Sequence, residues 1–210
     1  MNNNFFNPEN WLWKPFGKVT DLLILNALWL FSCIPLITIG SSLTALYDCS
    51  AHCVKNGDNG IISRYFRTLR RELLPSLLSF IIWTVIISGI FSFIRNFTTN
   101  AHPSAFHLII AYSSIFLLLL VVGIAAWVFP LLSRFTFSIV DLNLTAIRLA
   151  IVHLPRTIAL GVCTSLTIWL CLRFWIPLMF VPGIYGLLSA HILEPIFKKY
   201  EDSQKIEHEN

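Results

Sequence analysis

The chain has 210 residues (24.0 kDa) with a formal net charge of +4; 56% of it is hydrophobic, only 12% is charged, and its mean hydropathy is +0.71. Soluble domains carry about 25% charged residues and are roughly half apolar, so this balance excludes an ordinary soluble protein as well as a disordered tail. Half of all residues lie in five stretches that contain no formal charge, which is the composition of an integral membrane protein.

The uncharged stretches are 22–39, 73–94, 105–133, 157–172 and 174–193. Four of them reach the ~18 apolar residues of a membrane-crossing helix, and the fourth in order does so from Leu154 if Arg156 snorkels. A bilayer interior satisfies no stray backbone groups, and the runs lack the alternation of a membrane barrel. The expected fold is therefore an all-α membrane bundle forming one domain over 1–210, with five spans near 20–40, 73–94, 105–133, 154–172 and 174–195. As a single helix, 157–193 would be ~55 Å long against a hydrocarbon core of ~30 Å. It must turn back near 173–177, or else stop near 172 and leave a re-entrant or surface segment.

Cytoplasmic flanks collect Lys and Arg. Five spans place eleven cations, from Lys55 through Arg64, Arg67, Arg70, Arg71, Arg134, Arg148 and Arg156 to Lys198, Lys199 and Lys205, on one side. Lys14, Lys18, Arg95 and Arg173 fall on the other; four spans would split the cations eight to seven and give no orientation. The five-span arrangement puts the N-terminus outside and the tail 196–210 in the cytoplasm. The first run lacks a basic n-region and a small-x-small cleavage site, so it reads as a span and not as a cleavable signal peptide. Trp11, Trp13 and Phe16 precede it as interfacial rings, whereas Trp83 falls within a span as packing.

Residues 41–72 form the expected cytoplasmic loop, with a helix over 43–54, a turn at Asn56-Gly57-Asp58-Asn59-Gly60 and a second helix over 61–74. At ~100° per residue Arg64, Arg67 and Arg71 share one side, and Ile62, Phe66, Leu69 and Leu73 gather opposite. That pattern describes an interfacial amphipathic helix, its arginines toward anionic headgroups and Phe66 toward acyl chains; Arg64, Arg67, Arg71 and Phe66 are the expected lipid or partner contacts. A basic flank that only sets topology explains the same residues. Nucleic acid is not expected as a partner, because the membrane-side asymmetry accounts for the excess charge. The chain also holds a loose internal echo: Pro35 and Pro130 each end a span, and Leu74-Pro75 and Leu154-Pro155 each open the next one. Either a duplication or the ordinary tolerance of proline at helix starts produces it.

Catalytic patterns are missing from the sequence: it has no Gly-rich phosphate loop, no His-Glu-x-x-His, no Gly-x-Ser-x-Gly and no intramembrane pair of acids. Cys49, His52 and Cys53 share a helical face at metal-like spacing, but a fourth ligand is wanting, and small buried cysteines explain them equally. The five cysteines imply no disulfide framework. No metal, cofactor or enzymatic activity is expected. Asn26, Arg173 and His191 are polar groups in or beside spans, read as interhelical packing, a snorkelling cation and an interfacial hydrogen-bonding group. Pro177 and Pro182-Gly183 mark a possible break in the fifth span.

Phe6-Asn7-Pro8, then Leu25-Asn26-x-Leu28-Trp29, then Pro35-x-x-Thr38-x-Gly40 leading into Thr44-Ala45-Leu46-Tyr47 resemble the YesL-like family of small bacterial multi-pass membrane proteins. Phe129-Pro130-Leu131-Leu132-Ser133-Arg134-Phe135, Leu154-Pro155 and Pro182-Gly183-x-Tyr185 extend the likeness to about residue 200, with a departure at Glu72-Leu73-Leu74-Pro75, where a more polar stretch is usual. The resemblance implies a plasma-membrane protein encoded beside carbohydrate uptake systems, notably ABC-type importers. It assigns no catalytic residues. Asn26, Thr38 and Gly40 match its motif and are read as helix packing and a span-to-loop turn. The expected function is that of a non-enzymatic accessory or regulatory component of carbohydrate uptake, with sugar ABC-transporter components and a second copy of the chain as candidate partners. A small oligomeric transporter or channel for a sugar or ion is the alternative.

Overall fold

A computed structural model of the chain describes residues 13–55, 57–58, 60–100, 105–135, 138–174, 177 and 180–209. Among these the structure is helical throughout, with no strand: α1 Trp13–Ser32, α2 Ile39–Cys49, α3 Ile61–Arg71, α4 Leu73–Asn100, α5 Ala105–Arg134, α6 Ile139–Val152, α7 Leu154–Arg173 and α8 Val181–Glu209. A short 3-10 turn, Leu36–Thr38, leads into α2, and wide π-type turns over Ser50–Lys55 continue it. Phe6-Asn7-Pro8 and Trp11 lie outside the described residues.

Three helical stretches, Leu73–Phe97, Ile109–Arg134 and Leu154–Arg173, are long and apolar enough to cross a membrane. In α4 only 11% of the most apolar window is buried in the protein, and Ile81, Val85, Phe91 and Phe93 all point outward. Water would be a costly solvent for that surface, and acyl chains are a favourable one.

The helix boundaries differ from the sequence expectation at three places. The first expected span, 20–40, is helical only to Ser32, because Pro35 has no N–H to give and keeps Ile34 out of helical conformation. The Thr38 hydroxyl sits within reach of the Ser32 and Pro35 carbonyls and the Ser41 and Ser42 hydroxyls bond the Thr38 carbonyl, so the corner is tied before α2 begins. The last expected span starts later, since α7 ends at Arg173 and α8 begins at Val181 with Pro182 in its first turn; the missing proline N–H is an orphan there in any case. Finally, α6 occupies the stretch between the third and fourth expected spans. Leu142, Ala146 and Ala150, spaced by four, form its buried stripe, a signal already present in the sequence.

Residues 39–55 lie at the centre of the molecule. Ala45, Leu46, Cys49, Cys53 and Val54 pack with Leu25, Ile61 and Tyr65 on one side of this segment. Tyr47 and Ala51 join a second cluster with Trp127, Leu131, Leu160, Leu193 and Phe197. A helix buried all round is normally apolar all round. Here Ser41, Ser42 and Thr44 are also buried, because their hydroxyls bond carbonyls of the preceding turn and need no other partner.

Glycines set the closest helix contacts. A Cβ on Gly40 would stand 2.6 Å from the Ser76 carbonyl oxygen, and one on Gly123 2.5 Å from that of Thr157. Both contacted residues lie in the first turn of a helix that opens Leu-Pro, α4 and α7, each preceded by a one-residue break at Glu72 or His153. The Leu-Pro half of the internal echo is thus shared by the two structures. The other half is not, since Pro35 lies between helices and Pro130 within α5.

Candidate functional site

Besides pairs such as Trp127 with Thr157 and Thr164 with Tyr185, three polar joints tie helices together inside the described bundle. The most elaborate links α2 to α3. The turn between these helices is made by Gly57 at φ 84 and Gly60 at φ 92, a left-handed region that costs glycine little, so α3 folds back along α2. Positions equidistant from residue 58 then face one another, and Asp48 meets Thr68. Arg64 donates from Nε and Nη2 to the two Asp48 carboxylate oxygens, each at 2.9 Å, and the Thr68 hydroxyl donates at 2.8 Å. His52 Nδ1 lies 3.0 Å from the Asp48 carbonyl oxygen and 3.1 Å from the carboxylate. Burial works against the carboxylate charge, but the bonds from His52, Arg64 and Thr68 outweigh it and hold the Asp48 carboxyl well below the usual carboxylate range. In the same surroundings burial pushes the Cys49 thiol up, and its Sγ donates to the Ile61 carbonyl.

The second joint ties α1 to the start of α8. Asn26, 1% exposed, accepts the Gly183 backbone N–H at 2.7 Å and donates to the carbonyls of Leu22 at 2.9 Å and Phe180 at 3.4 Å. Gly183 N–H is one of the orphan donors of a helix start, so Asn26 acts as a cap supplied by a different helix. Any side chain on Gly183 would collide with it at 2.7 Å. The third joint is a buried ion pair between Arg134, at the end of α5, and Glu194 on α8.

The residues expected to touch lipid or a partner do not form one face. Arg64 turns inward to Asp48, because the inward stripe of α3 is Ile61, Tyr65, Thr68 and Glu72 and Arg64 flanks it. Arg67 is exposed; Arg71 is half-exposed and reaches Glu72 and the Ser133 carbonyl. Ile62 and Phe66 stand exposed on the opposite flank. The helix therefore has three sectors: one against α2, one apolar and one basic. Thr38 and Gly40 occupy the corner and the α2–α4 contact described above.

Lys18 and Lys55, assigned by the charge count to opposite sides of the membrane, line one recess with His191, and Asp21 of α1 borders Gly57 and Asp58. The tip of the α2–α3 hairpin thus lies beside the N-terminal part of α1. Cys49 and Cys53 lie side by side, but among the described residues no three His, Cys, Asp or Glu side chains are grouped as metal ligands. Trp83, expected as packing, is buried and also donates its indole N–H to Asn143 of α6 at 2.7 Å.

Sequence reasoning passed over Asp48 as a partner of Arg64 and missed Thr68, Arg134 and Gly183. The spacing of Asp48 and Thr68 around the glycine turn was the available signal for the first joint. Arg134 and Glu194 carry no local signal, being brought together only by packing of α5 against α8.

A family model described as a protein of unknown function, DUF624, matches residues 22–94, a stretch from α1 into α4 that holds Asn26, the Thr38 corner and the Asp48–Arg64 joint. No curated protein and no solved structure matches the chain.

Proposed function

We propose that the chain is a non-enzymatic, multi-pass plasma-membrane protein of the YesL-like kind, acting as an accessory or regulatory component of an ABC-type carbohydrate uptake system. The supporting observation is where its polar groups are spent: Asp48, Arg64, Thr68, Asn26, Arg134 and Glu194 bond one another or backbone between helices, while α4, α5 and α7 turn apolar surface outward. Such a body suits a scaffold that docks in the membrane. The carbohydrate assignment comes from the family resemblance, and the match over 22–94 is compatible with it.

In this reading α1, α4, α5, α7 and α8 cross the bilayer, with the N-terminus outside and the C-terminus in the cytoplasm. The hairpin tip at Gly57 and Asp58 then reaches back to the level of Lys18, so Lys55 and Arg64, whose guanidinium lies 3.9 Å from the Asp58 carboxylate, leave the cytoplasmic count, and the nine cations that remain there still outnumber the outer ones. Mild solubilisation should co-purify importer subunits, and a deletion strain should show altered sugar uptake; recovery of the protein alone with unchanged uptake would reject the proposal. A reporter fused after Asn210 should be cytoplasmic, and a cysteine at Asp58 should react with an impermeant reagent from outside.

A further inference from the structure

Among the described residues, α2, α4, α5, α7 and α8 enclose a cavity of about 200 Å³, with Tyr47, Trp83, Val122, Ala126, Ile168 and Tyr185 among its walls. Most of its polar members are engaged elsewhere, and the Tyr47 hydroxyl is buried without a partner. The Thr164 hydroxyl lies 3.0 Å from the Tyr185 hydroxyl and bonds the Leu160 carbonyl, Trp83 donates to Asn143, and the Ser189 hydroxyl bonds the Gly186 carbonyl. Thr84 of α4 and Ile168 of α7 are its exposed lining residues. The mouth therefore opens between two helices long and apolar enough to cross a membrane, onto surface continued by Ile81 and Val85 on one side and Leu166 on the other.

The dimensions and chemistry select the occupant. A helix is roughly 10–12 Å across with its side chains, so a second copy's or a partner's helix would have to part the five helices that wall this space. A sugar, with a hydroxyl on most of its carbons, would give up its hydration against walls that offer it at most the Tyr47 and Thr84 hydroxyls in exchange. Apolar cavities of ~150 Å³ stay dry and take up hydrocarbon. We infer that this cavity holds a length of one acyl chain of a bilayer lipid, inserted laterally between α4 and α7 as a resident ligand. The inference uses the membrane-crossing character of α4 and α7 and is independent of any role in carbohydrate uptake.

The full-length protein, reconstituted in phosphatidylglycerol vesicles doped with phosphatidylglycerol that carries a diazirine near the middle of one acyl chain, is irradiated and its adducts are mapped by mass spectrometry. An inserted chain labels Trp83, Val122 and Ala126, which are buried and beyond the reach of lipid that only surrounds the bundle. Adducts confined to outward residues such as Ile81, Val85 and Leu166 would overturn the inference. Ala126→Phe fills the cavity and should abolish labelling at Trp83 and Val122 while leaving Ile81 and Val85 labelled; persistence of the buried adducts would also overturn it. Ser189→Leu closes the space from α8 and serves if Ala126→Phe fails to fold, and the wild-type map decides in its own right.

Discussion

Replacing Asp48 by Asn keeps the side chain's shape and removes the charge to which α3 is tied. The carboxylate takes two Arg64 bonds and one from Thr68. Removing one member of a buried pair costs about 3–5 kcal/mol. Arg64 is 24% exposed and can recover some hydration, and Asn keeps one acceptor, so about 2–3 kcal/mol is expected for Asp48→Asn. Arg64→Met is worse, at about 3–5 kcal/mol, since it leaves an anion buried without its cation. The double variant should lose less than the two single losses combined, by about 2 kcal/mol of coupling. Cys49 and Cys53 provide the assay: both are buried beside Asp48, and with Cys33, Cys163 and Cys171 replaced, their reaction with a fluorogenic maleimide during heating reports opening of the hairpin. Wild-type heat resistance in Asp48→Asn, or strictly additive losses in the double variant, would refute the reasoning.

Three further predictions concern the helix contacts and the pH response. Gly123→Ala drives a Cβ to 2.5 Å from the Thr157 carbonyl and should destabilise by about 1–3 kcal/mol, whereas Gly89→Ala, with nothing within 4 Å, should be neutral or stabilising by up to about 1 kcal/mol; thermal unfolding in detergent separates them. Asn26→Ala uncaps α8 at a cost of about 1–2 kcal/mol, and hydrogen exchange should accelerate at Gly183 ahead of the rest of α8. Asp48 has a folded pKa below its ordinary 3.8, so its contribution is complete above roughly pH 5 and disappears only in strong acid; protection of Cys49 from maleimide should be equal at pH 7 and pH 5, and loss between these values would contradict the pairing.

The long apolar helices were legible because composition and length suffice for them: α5 matches its uncharged stretch to within a residue, α7 matches the expected span from Leu154, and α4 starts with its stretch and runs on to Asn100. Their neighbours were harder to read for physical reasons. Residues 39–55 are rich in Ser, Thr, Gly and Ala, which resemble a loop in a hydropathy profile; only the bonds those hydroxyls make to their own backbone let them sit at the centre. The inward turn of Arg64 was hidden because helical periodicity reports which residues share a side and not which side faces the protein. Asp48, sixteen positions away, decides that.

Helices that cross a membrane gain little from the hydrophobic effect when they meet, since lipid is as apolar as leucine. Specific arrangement must then come from close backbone approach and from polar groups that fit only one partner. This chain places a glycine contact where α2 meets α4 and another where α5 meets α7. To these it adds polar joints, Asn26 to Gly183 for α1 with α8, where the glycine is itself in close contact, and Arg134 to Glu194 for α5 with α8. Orphan backbone groups supply partners for such side chains: Asn26 lies within α1 but reaches the unpaired N–H at the start of α8. An amide one turn further along α1, as in Leu30→Asn, stands away from the Gly183 N–H, whose neighbouring α1 side chains are Leu22 and Asn26, and should not rescue Asn26→Ala. Restoration of Gly183 protection in that double variant would show that the joint depends on polarity alone and not on position.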